Sequence, residues 1–147
     1  MALIQKNFLP LKIHIKEQPS GFHRFEVNWT PTLVIFDPEG RERYRFSGYL
    51  PPGDFLAQVE LGLGHAAFAH KNWAKAEQHY HAVAESATDE AAAEARYWAA
   101  ASNFQRSHNP ADLQRAGEEL RRRYPASTWT KRSSPWSAEK KPERKTA

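Results

Sequence analysis

The run of sequence that decides the fold is residues 27–37, VNWTPTLVIFD, in which a turn leads into a short apolar segment. That segment, residues 32–36, is rich in β-branched and aromatic side chains and lies between turn-forming residues. An apolar run of about five residues with these flanks is typical of a buried strand. The sequence therefore predicts a strand over residues 32–36 that begins at the Thr-Pro-Thr entrance.

The residues that follow predict an antiparallel hairpin. Residues 37–40, DPEG, place proline and glycine where a tight turn favours them. Residues 41–46 then alternate between arginines and the opposing Glu42, Tyr44 and Phe46, which indicates a second strand paired with the first. Gly48 ends the hairpin, and residues 51–54, PPGD, begin a helix.

The residues before the decisive run predict another strand. Residues 1–7 resemble the last turns of a helix. Residues 8–15, FLPLKIHI, alternate between apolar and polar side chains, which is typical of a strand with one solvated face. A turn at residues 17–21, EQPSG, and a short helical or irregular crossover then lead to the strand at residues 32–36.

From Asp54 onward the apolar period lengthens to about 3.6 residues, which is the period of an α-helix. Alanine becomes frequent, and four helices are expected. The third is expected to be capped by Thr88 or Asp89, and the fourth by Asn109 with Pro110 at its first position.

Composition limits the chemistry available to the chain. None of the 147 residues is cysteine, which excludes disulfides, thiol nucleophiles and cysteine-bound metal within this sequence. There is no apolar run near the roughly 18 residues of a membrane span and no signal-peptide pattern, so a cytoplasmic location is expected. Residues 126–147 carry the whole excess of positive charge, and the rest of the chain is balanced. Nucleic acid is therefore not expected as a partner.

The first half of the chain resembles the C-terminal part of a thioredoxin fold. The resemblance covers residues 1–64 and rests on the 27–32 loop, the strand after it, the hairpin, Gly48 and the following helix. In that family the proline at the position of Pro31 is cis, and the backbone before it pairs with a bound extended peptide. The resemblance thus implies a peptide-binding edge at Trp29, Thr30 and Pro31. The alternative interpretation is an inherited turn that keeps the hairpin in register.

One departure from that family governs the functional interpretation. The Cys-x-x-Cys motif and the central strand before it would lie ahead of Met1 and are not in this sequence. In that family's sheet the missing strand lies between the strands that correspond to residues 8–15 and 32–36. Its absence would leave two unpaired strand edges. Three outcomes are open: the two strands pair directly, another chain supplies the strand, or the sequence is a truncated reading. We expect the third outcome, a truncated reading of a longer protein, because Met1 falls within a helical pattern.

The second half resembles tetratricopeptide-like helical hairpins over residues 65–130. Four residues fall at that family's spacing, where small side chains let two helices approach and an aromatic ring fills the gap: Leu63, Gly64, Ala76 and Tyr80. The second hairpin fits less well, because Gly117 stands where an aromatic is usual. Residues 131–147 are expected to form a disordered basic tail.

Other clusters are assigned structural roles. His65 and His70 are five residues apart and His79 and His81 are two apart, so neither pair has the spacing of helical metal ligands. No metal, cofactor or catalytic residue is therefore expected. The aromatic side chains of the helices have the spacing of a core rather than of a ligand groove.

These patterns predict an α/β part followed by an all-α part, a partial thioredoxin-like sheet with a small tetratricopeptide-like extension. The leading hypothesis is a non-catalytic protein that binds a peptide or protein partner, with self-association through the unpaired strand edges. The competing hypothesis is a truncated thiol-disulfide oxidoreductase whose catalytic segment lies outside this chain. A further alternative is a holdase-like co-chaperone.

Overall fold

The computed structural model describes residues 2–87 and 89–137. Two short helices, α1 (Ala2–Asn7) and α2 (Pro19–Arg24), precede a hairpin formed by β1 (Thr32–Phe36) and β2 (Glu42–Ser47). The remaining elements are helical: α3 (Pro52–Ala69), α4 (Trp73–Ser86), α5 (Asp89–Ser107), α6 (Pro110–Arg123), α7 (Thr128–Arg132) and a 3-10 turn (Ser134–Trp136). The predicted order, an α/β part and then an all-α part, is confirmed.

The β1–β2 hairpin forms where the sequence predicts it. The strands are antiparallel, with Leu33 opposite Phe46 and Ile35 opposite Tyr44, and the ladder is irregular after Ile35. The N–H of Gly40 donates to the carbonyl of Asp37 at 2.9 Å, and Gly40 has a φ of +76°, a conformation that favours glycine. Local turn chemistry therefore sets the register of this pair.

The strand predicted for residues 8–15 is wrong. These residues contain no strand, and the sheet in the described part of the chain has two strands only. Leu9 and Leu11 are 99% and 79% exposed. A strand is stabilised by pairing with a neighbour, and residues 8–15 make no backbone hydrogen bond to β1, so the first of the three outcomes, direct pairing, does not occur. An alternating pattern does not by itself show that a neighbouring strand is present to pair with.

Helix α3 lies between the hairpin and α4, and two glycines make this close packing possible. A Cβ atom on Gly62 would lie 2.2 Å from Ile35 Cδ1, and one on Gly64 would lie 2.5 Å from Tyr80 Cε1. Residues two apart on a helix lie on nearly opposite faces. Gly62 therefore lets the sheet approach one face of α3, and Gly64 lets α4 approach the opposite face.

A polar centre at His65 joins these layers. Its Nδ1 lies 3.0 Å from the Tyr80 hydroxyl, and its Nε2 lies 3.4 Å from Oε1 of Glu94. The Tyr44 ring stacks on it with centroids 5.1 Å apart, and Trp98 contacts it edge-on at the same distance. Side chains from β2, α4 and α5 thus converge on one residue of α3. The hairpin and the first three long helices consequently share a core.

The C-terminal residues of the described chain cover the last long helix. Trp136 stacks on Tyr97 of α5 with centroids 4.4 Å apart, and its Cβ would be 3.5 Å from a Cβ on Gly117 of α6. The expected tail therefore begins too early, because residues 131–136 are helical and packed. Residues 138–147 of that expected tail and the proposed cap Thr88 lie outside the described residues.

Within the part of the chain that the structure describes, no helix has the length and apolar character needed to cross a bilayer.

The first prediction concerns the α3–α4 contact. We expect Gly64→Ala to lower the free energy of unfolding by about 1–3 kcal/mol, because the fully buried Tyr80 ring leaves no room for the added methyl group. Urea titration followed by circular dichroism measures this change.

The matched control is Gly53→Ala in the first turn of the same helix. A Cβ there meets no atom within 4 Å, so we expect stability to rise by about 0.5 kcal/mol. Equal stabilisation by both substitutions would contradict the close α3–α4 approach.

Candidate functional site

The three residues predicted to bind peptide lie together at the entrance to β1. Trp29, Thr30 and Pro31 are all exposed, and the Trp29 side chain is 70% exposed. The Thr30–Pro31 peptide bond is cis. The carbonyl of Trp29 accepts a hydrogen bond from the Thr32 hydroxyl at 2.7 Å, which fixes the loop to the strand. This loop is thus an ordered and accessible apolar surface.

The same loop borders an unpaired edge of β1. The Gly48 N–H donates to the Pro31 carbonyl at 2.8 Å, so these opposed residues form a hydrogen-bonded pair. Hydrogen-bonded and non-hydrogen-bonded pairs alternate along an antiparallel ladder. Leu33 and Ile35 therefore bond to β2, whereas Thr32 and Val34 direct their N–H and C=O groups to the other side. No strand in the described residues occupies that side.

The four residues assigned to repeat packing lie at the α3–α4 contact. Gly64 faces the Tyr80 ring, and both Ala76 and Tyr80 are fully buried. Leu63 is only partly buried, and the buried cluster around it is formed by neighbours such as Leu61 and Ala67. The structure thus brings Gly64, Ala76 and Tyr80 into the core, with Leu63 at its margin.

Burial raises the pKa of the Tyr80 and Tyr44 hydroxyls, and the nearby Glu94 carboxylate raises it further. Both hydroxyls therefore remain protonated; that of Tyr44 donates to Gln58 Oε1 at 2.7 Å, and that of Tyr80 lies 3.0 Å from His65 Nδ1. Tyr80 is fully buried and Tyr44 is partly buried against the same core.

Asp37, at the hairpin turn, carries a buried carboxylate. Its Oδ1 accepts the Arg41 N–H at 2.8 Å, and its Oδ2 accepts from the Arg43 guanidinium at 2.6–2.7 Å. His70 Nε2, at the C-terminal end of α3, lies 3.3 Å from both Asp37 Oδ2 and Glu39 Oε2. The network ties the turn to the end of α3.

This network contains the one His/Asp/Glu group with metal-like spacing among the described residues. One ligand atom each from Asp37, Glu39 and His70 lie within 4.8 Å of one another. Asp37 Oδ2, the oxygen beside His70, already accepts a hydrogen bond from Arg43 Nε and forms an ion pair with Arg43 Nη2 at 2.6 Å. A guanidinium in that position competes directly with a cation, and the arrangement favours an ion-pair network over a metal site.

Sequence reasoning does not identify the Asp37 network or the His65 centre. Asp37 is visible in the sequence only as a turn residue, and its partner His70 lies 33 positions further along the chain. Glu94 is 29 positions from His65. A useful local signal is the acidic residue that ends an apolar strand, with arginines in the strand that follows.

Comparison with protein families gives a match in the first part of the chain. Residues 2–62 match the family described as a thioredoxin-like domain. No curated protein and no solved structure matches the chain. The match ends within α3 and includes the Trp29–Pro31 loop, the hairpin and the open edge of β1. This segment is therefore thioredoxin-like in sequence, as its motifs predict.

The second prediction concerns pH. Burial alone would raise the pKa of Asp37, but the hydrogen bonds from the Arg41 N–H and the Arg43 guanidinium outweigh it and hold the pKa below its ordinary value of 3.8. A group with a lowered pKa stabilises the fold above its ordinary pKa, and this contribution is lost as the pH falls through the folded-state pKa. We expect Asp37→Asn to be less stable at neutral pH and to lose less stability on acidification.

Thermal melting measured from neutral pH down to about pH 2 tests this expectation. The control is Glu85→Gln, which changes an exposed acid on α4. Its melting temperature should fall with acid as that of the wild type does. An Asp37→Asn variant whose melting temperature falls as steeply with acid as the wild type would refute the assignment.

Proposed function

We propose that this protein is a non-catalytic binding protein that captures extended segments of other proteins on the open edge of β1. The observation that carries the proposal is the juxtaposition of that edge with the exposed Trp29–Pro31 loop. Thr32 and Val34 offer backbone donors and acceptors with no strand beside them in the described residues. An extended peptide would satisfy these groups by strand addition.

The loop supplies the side-chain part of such a site. The ring of Trp29 is 70% exposed and that of Tyr49, just beyond Gly48, is 81% exposed. Tryptophan and tyrosine provide large contact areas at low conformational cost, which is why they are frequent at interfaces. No cysteine occurs in the 147 residues, so binding here proceeds without an attacking thiolate.

The helices provide a second surface for partners. We interpret α3 to α6 as tetratricopeptide-like hairpins, because consecutive helices pack on one another and because Gly64 and Tyr80 mediate the α3–α4 contact. Hairpins of this type form one face of a layer onto which a segment of another protein can dock. The two surfaces share the core around His65 and are therefore held in a fixed relation.

The competing proposal assigns the chain to a thiol-disulfide oxidoreductase. The match of residues 2–62 to a thioredoxin-like domain favours it, and the open edge would then receive a strand attached to a Cys-x-x-Cys helix. Genomic sequence ahead of Met1 distinguishes the two proposals. An in-frame Cys-x-x-Cys within about 35 residues upstream of Met1, the size of a strand–helix unit, would contradict the non-catalytic proposal.

The third prediction tests the edge with Val34→Pro. Proline removes the outward N–H and blocks strand addition, while the ladder to β2 does not use that group. We expect binding of reduced, carboxymethylated α-lactalbumin, a permanently unfolded chain, to weaken by about tenfold or more. Fluorescence anisotropy of the labelled unfolded chain measures the affinity.

The matched control is Val34→Ala, which keeps the N–H and shortens the same side chain. It should bind the unfolded chain as the wild type does. An unchanged affinity in Val34→Pro, or an equal loss in both variants, would show that the backbone edge is not the binding site.

The fourth prediction concerns self-association through the same edge. Exposed strand edges pair with other copies of a chain. We expect the mass of the wild-type protein in sedimentation equilibrium to rise with concentration, and that of Val34→Pro to rise less, because its β1 edge can no longer pair. A wild-type mass independent of concentration would exclude pairing between copies.

A further inference from the structure

A second apolar surface lies ahead of the sheet, in residues 9–13, LPLKI, named here the leucine segment. Leu9 and Leu11 project into solvent, at 99% and 79% exposure. Ile13 packs on α2, where a Cβ on Gly21 would lie 2.9 Å from Ile13 Cγ2. The segment is thus attached at one end and presents two large apolar side chains at the other. Neighbouring apolar side chains this exposed are typical of an interaction surface.

The backbone of the leucine segment is unpaired as well. None of its residues takes part in a backbone–backbone hydrogen bond among the described residues, and none lies in a helix or strand. Successive residues of an extended chain direct their N–H and C=O groups to opposite edges. Leu9, Leu11 and Ile13 therefore share one edge. Pro10 and Lys12 share the other edge, where the proline offers no N–H, so only the first edge has a complete set of donors and acceptors.

The outer edge of β1 is the counterpart of this segment. Its outward groups belong to Thr32 and Val34 and have no strand beside them in the described residues. The strand has five residues, Thr32–Phe36, as the leucine segment does. The described chain contains no hydrogen bond between the two. A second copy related by a two-fold axis can bring them together twice, because each contact then forms in both directions.

We propose that two copies of this protein exchange their leucine segments, each pairing with the outer β1 edge of the other through Leu9, Leu11 and Ile13. The proposal rests on the proposed function, because it makes a segment of a second copy an occupant of the same edge. Pairing of two β1 edges with each other would leave Leu9 and Leu11 in water, whereas the exchange removes both from water. The edge that contains Pro10 then faces outward, so growth of the sheet ends on that side.

The fifth prediction compares two proline variants of the leucine segment. Leu11→Pro removes an N–H from the pairing edge, whereas Lys12→Pro removes one from the edge that Pro10 already interrupts. We expect Leu11→Pro to weaken self-association in sedimentation equilibrium by about tenfold or more, and Lys12→Pro to associate as the wild type does. Equal loss in both variants, or wild-type association by Leu11→Pro, would overturn the exchange.

A mixture of two defective variants tests whether the segment and the edge are partners. Val34→Pro retains an intact leucine segment and Leu11→Pro retains an intact β1 edge, so one exchanged contact can form between them. We expect labelled Val34→Pro to bind Leu11→Pro at least about tenfold more tightly than either variant binds itself, as measured by fluorescence anisotropy. The absence of any preference for the mixed pair would contradict the exchange.

Binding of carboxymethylated α-lactalbumin separates this inference from the proposed function. Leu11→Pro keeps the β1 edge, so it should bind that unfolded chain at least as tightly as the wild type does. Weaker binding by Leu11→Pro would overturn the exchange, because the leucine segment would then belong to the site for the unfolded chain. A wild-type protein that stays monomeric while Val34→Pro loses the unfolded chain would refute the exchange and leave the proposed function standing.

Discussion

The close approach of α3 to two different layers is the constraint on which the rest of the structure depends. Gly62 lets Ile35 of the sheet reach the helix backbone, and Gly64 lets the Tyr80 ring of α4 do so from the opposite side. A two-stranded hairpin is marginally stable by itself in water. Packed on α3, it becomes one face of a shared core, and the loop before β1 is held in place with it.

The hairpin is attached to α3 at its turn and along one face, whereas the outer edge of β1 is unpaired. Its turn is tied to α3 through Asp37, Arg43 and His70, and its inner face is buried against Gly62. The free edge of β1 is therefore presented by a rigid element, and binding there would not require the edge to become ordered first. Preorganisation of this kind lowers the entropic cost of association.

The local features of the fold could be predicted from the sequence, whereas the long-range ones could not. The hairpin follows from the DPEG turn and the alternation of residues 41–46, which are short-range signals. Residues 8–15 show the same alternation but no strand, because pairing depends on a neighbour that the pattern does not contain. The His65 centre joins side chains from separate elements, and the spacing of these residues along the chain gives no local signal of their contact. The helical packing of residues 131–136 does not follow from the sequence, because so short a polar segment shows no helical period.

The packing of Trp136 near Gly117 covers one side of α6. One flank of the helical layer, α3, is covered by the hairpin, and the other, α6, is covered by residues of the chain itself. An end helix of a repeat stack otherwise exposes the apolar face that would pack on the next repeat. The hairpin and the C-terminal turns therefore serve as the caps of the described helices.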